Sequence, residues 1–229
     1  MIRTIVKPDF LGNVLNFGTM AAVGRHKGTG GRLVIISGPS GVGKSTITKE
    51  VIKRLEDAYF SVSMTTRPQA AGEQNGREYW FVSVEEFRAR IEQGSLLEYA
   101  DVFGNLYGTP KDKTDEALAA GRTVILEIDV QGAKQVKAAY PGAAMIFILP
   151  PSAKALAERI SGRARESRDV IERRLGKADA EIAAAWQHYD NMLINDDLEK
   201  AIEEVMEIIR KAPRIGGPTD TNPRNIGEP

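Results

Sequence analysis

Cysteine is absent from the 229 residues. That excludes disulfide bridges and thiolate metal sites, and it suits a reducing cytoplasm. Neither sign of charge is in excess: Lys+Arg and Asp+Glu both number 31, so no bulk field favours nucleic acid or an anionic membrane. No apolar run is long enough to span a bilayer. Histidine is scarce. His26 and His188 read as neither a metal site nor a catalytic set. Trp80 and Trp186 read as packing residues rather than base stackers. What remains is a hydrophobic content of 42%, enough for one sizeable core with inserted lobes.

One segment stands out. Leu33-Val-Ile-Ile-Ser37 reads as a buried strand running into Gly38-Pro-Ser-Gly-Val-Gly-Lys-Ser45, with a helical stretch after it. This is G-x-x-x-x-G-K-[ST] in the strand–loop–helix context that gives the motif its meaning. Gly38, Gly41 and Gly43 let the backbone turn tightly and approach phosphate oxygens. The backbone of Pro39, Ser40 and Val42 completes the cradle, and the helix beginning near Lys44, with Ser45 and Thr46 in its first turn, points its positive end at the same phosphates. Lys44 adds a full charge where the β- and γ-phosphates should lie, and the Ser45 hydroxyl can ligate Mg²⁺.

Strand and helix patterns alternate along the chain. Strands are expected at 33–37, 60–64, 78–81, 97–102, 123–128, 144–148 and 192–194. Helices are expected at 44–55, 84–93, 111–120, 131–139, 152–161, 167–189 and 198–211, with Ser152, Ser167 and Asp196-Asp197 as starts. Such alternation predicts an α/β fold whose parallel sheet is covered on both faces. The stretch 60–110 packs short strands between polar turns and reads as an inserted lobe. Residues 1–31 read as a flexible extension, with Arg3, Lys7, Arg25 and Lys27 against a single acid, Asp9. A transit peptide and a start at Met20-Ala-Ala22 are the two alternatives for it. Residues 212–229 read as a disordered tail.

The acceptor must be sought outside the phosphate loop. Phe60-Ser-Val-Ser-Met-Thr-Thr-Arg67, Gly72-Glu73, Gly76-Arg-Glu-Tyr-Trp-Phe81 and Leu97-Glu-Tyr-Ala-Asp-Val-Phe-Gly-Asn-Leu-Tyr-Gly-Thr-Pro110 occur in order. With Ile125-Leu-Glu-Ile-Asp-Val-Gln-Gly132, Ile146-Phe-Ile-Leu-Pro-Pro151 and Ile194-Asn-Asp-Asp197, this series resembles the guanylate kinases from about Arg32 to Lys211. The resemblance implies a three-layer P-loop α/β fold: a core at 32–59 and 111–211, a GMP-binding lobe at 60–110 and a helical lid at about 159–174. It also implies phosphorylation of GMP, and of dGMP, by ATP with Mg²⁺ in the cytoplasm, by a monomer or homodimer with no nucleic-acid or membrane partner.

The same resemblance implies roles for individual residues. Arg67, Tyr79 and Tyr107 match the positions that hold the GMP phosphate. Ser63, Glu98 and Thr109 match the guanine readers, and a carboxylate suits the N1–H and N2 donors on one edge of guanine. Asp129 matches a residue between the base and phosphate sites, and Glu127 one near the metal. Arg163 and Arg174 match lid arginines, with Arg159 a further candidate, and Asn195 matches a position near the adenine. Two positions depart from the pattern: Ala70 stands where the family has a second arginine, and Ala164 where it has glycine. A kinase of ribose bisphosphate and a non-catalytic protein-binding module are rival readings. The first has no use for Glu98, and the second has no use for Lys44.

Overall fold

The computed structural model describes residues 5–6, 30–102, 104–161 and 168–215. In chain order the elements are β1 (Ile5–Val6), β2 (Arg32–Ser37), α1 (Lys44–Arg54), β3 (Ala58–Phe60), β4 (Met64–Thr65) and β5 (Trp80–Phe81). Next come α2 (Val84–Glu92), β6 (Leu96–Val102), β7 (Asn105–Pro110), α3 (Lys111–Ala119), β8 (Thr123–Glu127) and α4 (Val130–Ala139). The chain closes with β9 (Ala144–Leu149), α5 (Ala153–Ser161), α6 (Arg168–His188), β10 (Asn191–Ile194) and α7 (Leu198–Lys211).

The core sheet has the order β1-β10-β9-β2-β8-β3. All neighbours are parallel except β1, which runs antiparallel to β10. The central strands are apolar between their end residues because both their faces are covered. Successive side chains alternate between the two faces. Leu33, Ile35, Val124, Leu126, Met145 and Phe147 pack against α3, α4 and α6. Val34, Ile36, Ile125, Ile146 and Ile148 pack against α1 and α7. The result is the three-layer α/β arrangement read from the alternation of patterns. Among the described residues no helix is long and apolar enough to cross a membrane.

The lobe is a second sheet of order β5-β4-β7-β6. The single strand expected at 60–64 is in fact two. β3 ends in the core sheet at Phe60, and Ser61 N–H makes a last bond to Ile125 O at 3.1 Å before the chain crosses to β4. β7 was not expected as a separate strand. Asn105-Leu-Tyr-Gly-Thr-Pro110 holds a Gly and a Pro, which weaken a strand signal, and antiparallel pairing with β6 and β4 supplies what propensity does not.

The chain ends also differ from the expected boundaries. Gly31 and Ile215 form a bridge, and Arg32 Nε donates to Ala212 O at 3.2 Å. The body therefore extends through Ile215, past the expected limit at Lys211. Within the expected extension, Ile5 pairs with Met192 and Val6 with Asn191 on the sheet edge. Residues 7–29 of the extension and 216–229 of the tail lie outside the described residues.

Candidate nucleotide site

β2, a central strand of the sheet, delivers the phosphate loop at its carboxyl end, and α1 carries the chain away. Gly43 is the N-cap of α1 with φ 104°, a left-handed conformation that a side chain would strain. A Cβ there would also meet Asn195 Nδ2 at 2.5 Å. Lys44 folds over the loop, its Nζ donating to Gly38 O at 2.6 Å and Pro39 O at 3.0 Å. Val42 is buried and donates its N–H to Pro39 O at 3.3 Å. Thr46 N–H is likewise turned to Gly43 O at 3.2 Å. Val42 and Pro39 therefore shape the loop from behind.

Two further side chains brace the loop. Asn195 is buried, follows β10 and donates Nδ2 to Val42 O at 2.8 Å. Arg159, on α5, donates to the same carbonyl at 3.2 Å and to Asn195 O at 3.1 Å. Both residues therefore hold the Val42 carbonyl.

The loop forms one end of a cavity of about 530 Å³. Gly38, Ser40, Gly41, Gly43, Lys44, Ser45 and Thr46 line that end, and Ser63, Tyr79, Glu98 and Tyr107 line the other. Glu127, Asp129 and Arg174 line the same cavity. Arg163 and Ala164 lie outside the described residues.

Ser45 Oγ donates to Glu127 Oε1 at 2.7 Å. A hydroxyl and a carboxylate with adjoining open space are a hard, oxygen-only donor set, which fits Mg²⁺ completed by water and phosphate oxygens. No group of three or more His, Cys, Asp or Glu that could hold a metal occurs among the described residues.

In the lobe, β6 and β7 set Glu98 opposite Thr109. Glu98 is only 5% exposed, and its Oε1 accepts from Thr109 Oγ1 at 2.6 Å. Burial pushes the Glu98 carboxyl up to about 7, the Thr109 bond works against that, and the charge of Asp129 adds to it. Asp129 has a second duty as N-cap of α4, Oδ1 accepting from Gln131 N–H and Gly132 N–H at 2.9 Å each.

Arg67, Tyr79 and Tyr107 lie together. The Tyr79 and Tyr107 rings meet edge to face at 5.7 Å, and the Arg67 guanidinium lies 5.5 Å from the Tyr79 centroid. Arg67 is paired with Glu73, with contacts of 2.7 and 3.0 Å, and Glu73 Oε2 also accepts from Ala70 N–H at 2.8 Å. Glu73, with Tyr107 behind it, holds the Arg67 proton more firmly than usual. Arg77 turns away to Glu78 and Gln74 and does not stand in for the arginine missing at Ala70.

The sequence reading missed Glu181, which lines the same cavity from α6. Burial chiefly raises its pKa, opposed by Lys177 and Lys44. Its signal was its place seven residues after Arg174, two turns along one helical face.

Comparison with known proteins agrees with this geometry. The family model described as guanylate kinase matches residues 30–212. A guanylate kinase of Rubrobacter xylanophilus is 46% identical over 188 residues, 82% of this chain and 98% of its own. One of Thermosynechococcus vestitus is 49% identical over 172 residues, 75% of this chain and 90% of its own. The crystal structure of a guanylate kinase from Anaplasma phagocytophilum, 32% identical, aligns with TM-score 0.66 over 80% of this chain and 86% of that one. With a phosphate loop, an acceptor lobe and a family match across most of its length, the chain belongs to the guanylate kinase family.

Proposed function

We propose that the chain transfers the γ-phosphoryl group of ATP to GMP, giving ADP and GDP, with Mg²⁺ shared between Ser45, Glu127 and the triphosphate. The observation that carries this reading is one cavity with a phosphate loop at one end and a buried carboxylate beside two phenols at the other. Lys44 neutralises the transferring phosphates. Ser45 and Glu127 would hold Mg²⁺, which would supply further neutralisation of the phosphate charge.

Arg67, Tyr79 and Tyr107 donate to the GMP phosphate and aim its oxygen at the γ-phosphorus. Glu98, steadied by Thr109 and joined by Ser63, accepts from the guanine N1–H and N2 amino donors. Adenine lacks that pair, so its entry leaves Glu98 buried and unmatched. The attacking phosphate is largely ionised at neutral pH, so the residues supply alignment, charge and exclusion of water. Arg174, with Arg163, closes the lid over the transferring group. Asn195 and Arg159 act through the loop they brace. The same reading puts the chain in the cytoplasm, with dGMP as a second acceptor.

The test is a coupled ADP-release assay with ATP against GMP, AMP, UMP and ribose 1,5-bisphosphate in parallel. GMP alone should give rapid turnover, and Lys44→Ala should remove at least about a hundredfold of it. AMP or the bisphosphate rivalling GMP would overturn the assignment of the acceptor.

A further inference from the structure

The geometry points to Gly132 as a positioning residue for guanine selectivity: the missing side chain there is the space that the Glu98 carboxylate occupies. This rests on Glu98 as the guanine reader. Gly132 is buried in the first turn of α4, where Asp129 Oδ1 holds its N–H at 2.9 Å. A Cβ on Gly132 would stand 2.4 Å from Glu98 Oε2, 2.9 Å from Cδ and 3.2 Å from Cγ, and these are the three nearest atoms it would meet.

The backbone does not require glycine at this position. Gly132 is not among the glycines with positive φ, and glycine weakens a helix relative to alanine. What glycine provides here is room. One carboxylate oxygen is fixed by Thr109 Oγ1 at 2.6 Å, and the other faces the bare Cα of Gly132. Asp129 caps the helix that presents this Cα, so the charge beside Glu98 and the space beside it come from one turn.

A methyl group at 132 pushes the carboxylate about 1 Å, the step from a clash to ordinary contact. The listener for guanine then stands out of place while the phosphate loop is untouched. Because the contact is with the end of a flexible side chain, Gly132→Ala keeps the fold. Displacements of this size at a binding group cost up to about a hundredfold.

The experiment compares Gly132→Ala, Glu98→Gln, Glu98→Ala and the double variant Glu98→Ala/Gly132→Ala, using GMP and inosine monophosphate as acceptors. Inosine monophosphate keeps N1–H and lacks the N2 amino group. For Gly132→Ala, the GMP KM should rise about tenfold or more, the ATP KM should stay within about twofold and the preference for GMP over inosine monophosphate should shrink. Adding Gly132→Ala to Glu98→Ala should change neither KM nor preference further.

An unchanged GMP KM and preference in Gly132→Ala, with Glu98→Gln impaired, overturns the role of Gly132 and leaves the reading of Glu98 standing. Unchanged preference in Glu98→Gln overturns both. An equal loss on adding Gly132→Ala to Glu98→Ala shows an effect that does not pass through the carboxylate, and overturns the inference. Should Gly132→Ala fail to fold, the double variant melting with Glu98→Ala supports the steric relation to Glu98, and its failing as well refutes it.

Discussion

The buried carboxyl of Glu98 makes GMP binding depend on pH in a way that can be calculated. Burial raises the group to about 7 from an ordinary 4.5. Guanine presents two donors, so only the ionised carboxylate matches both. The ionised fraction is about nine-tenths at pH 8 and about one-tenth at pH 6, so GMP affinity should fall roughly tenfold across that range, or about 1.4 kcal/mol. The second phosphate ionisation, near 6, adds about a further twofold.

The assay is calorimetric titration of GMP from pH 6 to 8.5 in two buffers of different ionisation enthalpy. Near pH 7 the complex should release about half a proton from Glu98, because guanine favours the charged form. Glu98→Gln should bind more weakly but lose the Glu98 component of the slope. An equal slope in wild type and Glu98→Gln would refute the reasoning.

The same group affects stability with a definite sign. The folded chain holds a proton that the unfolded chain releases near 4.5. The cost is therefore absent below about pH 4.5, grows between there and about pH 7, and is complete above that. At 1.36 kcal/mol for each tenfold in proton affinity, the difference from 4.5 to about 7 is about 3 kcal/mol. Glu98→Gln should accordingly melt higher than wild type at pH 8 and show little advantage at pH 4.

Ala70→Arg restores a second cation beside Arg67, and GMP KM should fall about tenfold, as expected for a charged hydrogen bond; unchanged KM would mean that Arg67 already suffices. Ser45→Ala removes the hydroxyl bound to Glu127, and the Mg²⁺ concentration for half-maximal rate at fixed ATP should rise, with EDTA abolishing turnover in both proteins. Thr48 is buried on α1 with no hydrogen-bond partner for Oγ1 among the described residues, so Thr48→Val should stabilise by about 1 kcal/mol in urea unfolding, and clear destabilisation would show that the hydroxyl is engaged.

The donor half of the site is legible in sequence because it is local. Strand, glycine turn and helix N-terminus follow one another within Leu33–Thr46, and the backbone conformation they need is set by adjacent residues. The alternation of apolar strands and amphipathic helices fixed the layered class for a similar reason: each strand carries its own two-sided burial pattern. The acceptor half is assembled from residues far apart in sequence. Its identity came from a series of motifs, and their contacts could not be read from those motifs.

The strand missed at Asn105–Pro110 shows why. Its propensity is poor, and it is a strand because β6 and β4 flank it. That pairing alone sets Thr109 on Glu98. Asn195 matches a position near the adenine, and its bond to Val42 O depends on where β10 ends. Gly132 read as a residue within a motif, and only packing of α4 against β6 reveals the carboxylate in its place. The phosphate-loop motif and the layered fold class are legible in the chain of residues alone. The tertiary structure decided which groups at the acceptor end touch, because hydrogen bonding, desolvation and exclusion act over a few ångströms between residues that the chain separates by tens of positions.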